Sequence, residues 1–238
     1  TRWSTHGGVT KENSHPHLDC TGKIAVVHNG IVENYQHLRN AINSNREEHL
    51  FKSQTDTEII PHYIEHLMNH YGNKNMDFLN AVKTTANLLK GRSAFVVIDS
   101  SGIMIAVRKG TPLIVGIKEE NHEIFIASDI SAFLDYTNKV KYLDDNELLV
   151  FDSNVSNFYN IELSGKINTA EPVFKRSIDI HWHPGKAEKE GYDHFLIKEI
   201  MEQKHTIAAA INQDDEKIQS VAEAIKNAFG TFLVGCGT

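Results

Sequence analysis

"SAFVVID" (Ser93–Asp99), "GIMIAVRKG" (Gly102–Gly110), "PLIVGI" (Pro112–Ile117) and "HEIFIAS" (His122–Ser128) follow one another in the middle of the chain. Each is short, apolar and rich in β-branched or aromatic residues, and "DSSG", "KGTP" and "KEENH" punctuate them as turns. "VKYLDDNELLVFD" and "FYNIEL" extend the series after "DISAFLDYT", which reads as a short helix. Upstream, "KIAVVH" (Lys23–His28) is a further strand, and the period then changes to helical. In "VENYQHLRNAI", Val32, Tyr35, Leu38 and Ile42 share a face. "TDTEIIPHYIEHL" pairs Thr55 with Glu58 as a capping box and buries Ile60, Tyr63, Ile64 and Leu67, with Pro61 tolerated early in the helix. A third helix spans roughly Met76 to Lys90, with Phe78, Val82 and Leu88 or Leu89 inward. Helices followed by runs of antiparallel strands predict an α+β fold of sheets covered by helices.

The 238 residues are 40% hydrophobic and 23% charged, the balance of a globular domain with a sizeable core. A formal charge of −7 argues against nucleic acid or an anionic membrane as partner. No apolar run is long enough to cross a bilayer. Cys20 and Cys236 are far apart and give no disulfide framework, which suits a reducing, cytoplasmic setting.

Near Ile178 the texture changes. "SIDIHWHPGKAEKEGYDH" is polar, has no regular period and reads as a connector. The helical stretches "HFLIKEIMEQKHTIAAAI" and "DDEKIQSVAEAIKNAFG" follow, the second with aspartates at its start and Gly230 as its end signal. "TFLVGCGT" then reads as a strand entering a glycine-rich turn, the way a phosphate-binding α/β domain begins. The expected organisation is residues 1–175 as one domain, 176–191 as connector and 192–238 as the beginning of a second domain.

Chemistry concentrates in "TRWSTHG" (Thr1–Gly7), "VVHNGIVEN" (Val26–Asn34) and "SQTDTE" (Ser53–Glu58). Arg2 offers a planar fork of donors for a carboxylate. Asp56, at a helix start, offers a carboxylate that the backbone keeps ionised and that suits an ammonium. Together they would hold an amino acid by its backbone. The Asn29 side-chain amide and the Gly30 N–H are adjacent donors at a strand end, and glycine allows close approach. Aimed at one point, they would form an oxyanion hole, each donor contributing about 3 kcal/mol in the transition state. Taken singly, each piece has a plainer reading: a hairpin turn, a stacked Arg–Trp pair, a helix cap.

In this order, "TRWSTHG … HPH … VVHNGIVEN … SQTDTE" resembles the glutaminase domain of the glutamine–fructose-6-phosphate aminotransferase family of class II glutamine amidotransferases. "ASDISAFLDYTNKVKYLDDNEL", "AEKEGYDHFLIKEIMEQ" and "GCGT" extend the likeness over essentially the whole chain. The resemblance implies a four-layer αββα N-terminal-nucleophile hydrolase sandwich, followed by the start of an α/β sugar-isomerase domain. It implies transfer of the glutamine amide nitrogen to fructose 6-phosphate, giving glucosamine 6-phosphate and glutamate, with no cofactor and with dimerisation through the isomerase half. Carried over by residue, Arg2 would bind the glutamine α-carboxylate and Asp56 its α-amino group. Asn29 and Gly30 would form the oxyanion hole, and Thr5, His6 and Trp3 would line the pocket. Thr238 would contact the sugar phosphate. The family's nucleophile is a mature N-terminal cysteine, which Thr1 cannot replace. The resemblance therefore implies a piece truncated at both ends and unable to hydrolyse glutamine, since losing a nucleophile costs about a million-fold. Two alternatives are an amidotransferase for another sugar-phosphate acceptor and a non-catalytic glutamine-binding module.

No metal is expected. "HPH" (His15, His17) and "HWH" (His181, His183) each lack an evident third ligand. Cys20 has no neighbouring base in sequence and, being interior, no α-amino group to serve as one. Cys236 reads as a small buried residue of its turn.

Overall fold

The computed structural model describes residues 7–43, 49–70, 76–162, 170–181 and 191–232. It divides into two compact units, Thr1–Pro184 and Gly185–Thr238.

In the first unit β1 (His17–Leu18) and β2 (Ile24–Gly30) lead into α1 (Tyr35–Asn43), α2 (Ile59–His70) and α3 (Phe78–Leu88). Then come β3 (Ser93–Asp99), β4 (Met104–Lys109), β5 (Ile114–Lys118), β6 (Glu123–Ala127), β7 (Lys139–Tyr142), β8 (Glu147–Asp152), β9 (Val155–Asn160) and β10 (Ile178–Asp179). They form a six-stranded sheet, β1-β2-β3-β4-β8-β9, and a four-stranded sheet, β10-β7-β5-β6. All named pairings are antiparallel.

Alternation along the large sheet shows why its strands are apolar almost throughout. Phe95 and Val97 of β3, Ile105 and Val107 of β4, and Leu148 and Val150 of β8 face the helices, in one core with Leu38, Ile42, Ile60, Ile64 and Val82. The intervening Ala94, Ala106 and Leu149 face the second sheet and pack with Val115, Leu143 and Phe158. A strand buried on both faces has no polar side to show. The far face of the small sheet carries Ile114 and Val140 and is covered by Ile130 and Phe133, from a short 3-10 turn at Ile130–Ala132. Among the described residues of this unit, that turn is what the sequence-predicted fourth, helical layer amounts to.

The helices follow the apolar spacing closely. α3 is capped by Asp77, whose carboxylate accepts from the Asn80 N–H, and it turns Leu89 inward while Leu88 is exposed. The capping box expected at Thr55 and Glu58 does not form. Glu58 instead accepts from the Lys52 and Ser53 N–H groups, each at 2.7 Å. The first unit also extends past the predicted boundary. β10 pairs with β7, so the beginning of the stretch read as a connector is a sheet strand.

The second unit holds α4 (Phe195–Ile211) and α5 (Asp215–Asn227), the latter capped by the Asp214 carboxylate. α5 ends at Asn227 with Ala228 as its cap, so Gly230 is not its end signal. Most of "TFLVGCGT", with Cys236 and Thr238, lies outside the described residues. No helix among the described residues is long and apolar enough to cross a membrane.

Candidate functional site

β2 carries the second motif, and its pairing sets which groups are free. Ile31 donates to the Arg92 carbonyl at 3.2 Å, continuing the ladder in which Gly30 lies opposite Ser93. Antiparallel pairing alternates, so the Gly30 N–H points away from β3 toward the other edge of β2. Among the described residues, β1 pairs with that edge opposite Ala25 and Val26. Asn29 is exposed, and His28, one residue back on the opposite face, is buried.

Gly30 is required by shape. Its φ is +135°, and a Cβ there would lie 2.2 Å from the Arg92 carbonyl oxygen. Only glycine adopts this conformation and tolerates that approach without strain.

The third motif is folded against the second. The Asp56 carboxylate is buried and accepts from the Val32 N–H at 2.6 Å, next to the end of β2. One residue on, the Thr57 hydroxyl pairs with His28 Nδ1 at 2.9 Å. Burial lowers the His28 pKa to about 4; the Asp56 charge opposes this shift, and His15 and His17 add to it. His28 is therefore a neutral hydrogen-bonding post rather than a charge at neutral pH.

The first motif reaches the same place through its last residue. A Cβ on Gly7 would lie 2.9 Å from Gln54 Cβ and 2.8 Å from Asn13 Nδ2, and its φ is +74°. Asn13 joins the two stretches, donating to the Gly8 carbonyl at 2.9 Å and accepting from the Gln54 N–H at 2.8 Å. Arg2, Trp3, Thr5 and His6 themselves lie outside the described residues.

Residues that the sequence reading passed over hold the third motif in place. His17 Nε2 meets the Thr55 hydroxyl at 3.1 Å, so "HPH" supplies a buried positioning histidine rather than a ligand pair. Burial would raise the Glu58 pKa, but His62, the Lys52 and Ser53 N–H groups and the Ser53 hydroxyl bring it down to about 2. The "SQTDTE" turn is thus wrapped around an ionised carboxylate. Asn34, at the end of the second motif, donates to the Leu88 carbonyl and accepts from the Lys90 N–H, anchoring the motif to α3. Motifs read for substrate contacts gave no hint of these supports, because each partner is distant in sequence.

A hollow of about 310 Å³ opens beside this turn, lined by Lys11, His17, Lys52 and Glu58 among others. Asn29, Gly30 and Asp56 do not line it.

Cys20 has no base beside it in sequence, but the fold brings His49 Nδ1 to 3.4 Å and His62 Nδ1 to 3.3 Å from its sulfur, both from distant segments. Burial and the Glu65 and Asp19 carboxylates nonetheless push its thiol up to about 11, against a hydrogen bond from the backbone at Leu50 that lowers it. That is the reverse of an activated nucleophile. His181 is exposed, and His183 lies outside the described residues.

A family model described as "Glutamine amidotransferase domain" matches residues 3–135. The chain belongs to the glutamine amidotransferase family. Over its whole length it is similar to the glutamine–fructose-6-phosphate aminotransferases (isomerizing) of Thermococcus kodakarensis (43% identical), Methanothermobacter thermautotrophicus (42%) and Methanocaldococcus jannaschii (40%). It spans 38% of the length of the first two and 21% of the third. Among solved structures, the glutamine phosphoribosylpyrophosphate amidotransferase of B. subtilis superposes with a TM-score of 0.54 at 21% identity, over 66% of this chain and 34% of that one. A second structure, titled as the allosteric regulatory enzyme of purine biosynthesis, gives 0.52 at 22% identity, over 66% of this chain and 33% of that one. At such identities the likeness shows the fold, the two-sheet sandwich of class II, N-terminal-nucleophile glutamine amidotransferases.

Proposed function

We propose that this chain supplies the glutamine-binding part of an enzyme that transfers the glutamine amide nitrogen to fructose 6-phosphate, forming glucosamine 6-phosphate and glutamate. The observation that carries the reading is the interlock of the three motifs: Gly7 packs on Gln54, and Asp56 and Thr57 are bonded to Val32 and His28. Whole-length similarity to aminotransferases of that name supports the choice of acceptor.

In this reading Asp56 receives the substrate ammonium and Arg2 the α-carboxylate, while Trp3, Thr5 and His6 line the pocket. Asn29 and Gly30 donate to the oxyanion that forms when the amide carbonyl is attacked, and a Gly30 N–H turned away from β3 suits that role. The attack belongs to a terminal cysteine, a role that the interior Cys20 and Cys236 cannot take. Residues 192–238 begin the sugar-isomerase domain, with Thr238 at the sugar phosphate and dimerisation through that domain. The protein works in the cytoplasm, without nucleic acid or membrane.

Calorimetric titration with L-glutamine tests the site. Saturable binding is expected, weakened on the order of a hundredfold by Asp56→Asn, which keeps the shape and removes the charge. N-acetyl-L-glutamine, which has no ammonium, should not bind. Equal affinity of the native chain and Asp56→Asn for L-glutamine would refute the assignment of Asp56.

A further inference from the structure

Cys20, in the turn between β1 and β2, His49, ahead of α2, and His62 and Glu65, one turn apart on α2, converge on one point. His49, His62 and Glu65 are buried, and Cys20 opens to the surface. Cys20 Sγ lies 3.4 Å from His49 Nδ1 and 3.3 Å from His62 Nδ1, and the two Nδ1 atoms are 3.4 Å apart. Glu65 Oε2 is 3.3 Å from His49 Nδ1 and 3.8 Å from His62 Nδ1. All four donor atoms lie within 4.8 Å of one another.

Hydrogen bonding does not account for this arrangement. An imidazole Nδ1 carries at most one proton and aims it at one acceptor; a thiol carries one, and an ionised carboxylate none. Those protons are too few for the close contacts, and the two Nδ1 atoms face each other and the same sulfur and oxygen. A tetrahedral cation satisfies every contact at once. Zinc bonds of about 2.0–2.1 Å to imidazole, 2.3 Å to thiolate and 2.0–2.2 Å to carboxylate set tetrahedron edges of about 3.3–3.6 Å. Five of the six separations, at 3.3–3.8 Å, follow those edges, the His62–Glu65 edge being slightly longer.

We propose that Cys20 Sγ, His49 Nδ1, His62 Nδ1 and Glu65 Oε2 form a four-ligand zinc site. The mixture of one soft thiolate, two imidazoles and one carboxylate suits zinc better than magnesium or calcium, which prefer oxygen alone. Four protein ligands leave no position open for a reacting water, so the site is structural. Its surroundings fit: Glu65 Oε2 also accepts from the Cys20 N–H at 3.1 Å, and the Glu58 carboxylate lies behind His62, 3.7 Å from Nε2, as an ion-pair neighbour rather than a hydrogen-bond partner. The ion ties the β1–β2 turn and the segment at His49 to α2, and Glu58 passes that constraint to the "SQTDTE" turn. The proposal stands independently of what the glutamine site binds.

Titrating the reduced, metal-free 238-residue chain with Co²⁺ tests it. One equivalent should bind with the visible bands of tetrahedral cobalt and a thiolate-to-cobalt charge-transfer band, and Zn²⁺ should displace it. Cys20→Ser should abolish the charge-transfer band, and His62→Gln should weaken binding on the order of a hundredfold or more, while Cys236→Ser leaves both unchanged. Absence of the charge-transfer band from the native chain, or its loss in Cys236→Ser and not in Cys20→Ser, overturns the proposal. X-ray absorption of the zinc-loaded native chain needs no variant to fold: one sulfur, two imidazoles and one further oxygen are expected. A shell without sulfur, or with more than one, is inconsistent with the assignment.

Discussion

Gly30 and His28 are two residues apart on β2 and illustrate two ways in which a single residue is fixed. For Gly30 the constraint is backbone: φ is +135°, and the Arg92 carbonyl occupies the place of a side chain. Gly30→Ala should therefore cost about 2 kcal/mol or more in urea unfolding, with the far-UV spectrum retained. For His28 the constraint is solvation: its ring is buried, Nδ1 meets Thr57, and among the described residues the buried Nε2 has no hydrogen-bond partner. Unfolded, this imidazole takes up a proton near 6.5; folded, it resists until about 4. Between those values the unfolded chain binds more protons, so stability falls as pH drops from about 6.5 to about 4, by up to about 3 kcal/mol, and this contribution falls no further below that. Urea midpoints across this range should show the loss, and His28→Gln should flatten it. The carboxylate of Glu58, held near 2, contributes a separate loss at lower pH, below about 4.5. A profile in the native chain that is flat between pH 6.5 and 4.5 would rule out a buried neutral His28.

At the scale of elements, α2 departs furthest from an ordinary surface helix. It contacts α1, α3, β1 and β2, and Ile60, Ile64 and Leu67 are buried together with His62 and Glu65. An amphipathic pattern identifies the apolar side of such a helix and leaves the polar side to solvent, which here is also enclosed. That polar side carries the proposed zinc ligands, and its amino end carries Asp56. α3 is simpler. Its amino terminus depends on Asp77, which accepts from the Asn80 N–H at 2.9 Å, and Lys109 donates to the Ala86 and Leu89 carbonyls near its other end. Asp77→Ala should cost about 1 kcal/mol by chemical denaturation, the usual value of an N-cap. An effect below the error of that measurement would mean that packing alone holds the helix start.

At the scale of the molecule, the first unit is built around a sheet buried on both faces. Leu149 sits fully buried between the two sheets, and Leu149→Ala should cost about 2–5 kcal/mol, depending on how far the sheets close over the gap. The second unit has another character. Phe195, Leu196 and Ile200 of α4 and Ile218, Val221 and Ile225 of α5 are exposed. Helices that bury little apolar surface draw little stability from packing. Hydrogen exchange should accordingly be orders of magnitude faster in α4 and α5 than in β3, β4 and β8. Equal protection in the two units would show that the apolar faces of these helices are covered.

The sequence alone determined the α+β class, nearly every strand, the places of the helices though not all of their ends, and the three motifs that carry the glutamine reading. It could do so because periodicity, turn chemistry and helix caps act over a few residues, and neighbours in sequence are enough to express them. What it could not show arises between residues far apart. β10 joins the small sheet only because β7 lies beside it; Glu58 abandons its local cap for the Lys52 and Ser53 amides; and His17, an unremarkable member of "HPH", braces Thr55. The gathering of Cys20, His49, His62 and Glu65 is the clearest case. Those positions share no motif, and only the packing of α2 against the β1–β2 turn brings their donor atoms to bonding distance of one point. Local chemistry wrote the elements, and the closure of the core decided which polar side chains would meet.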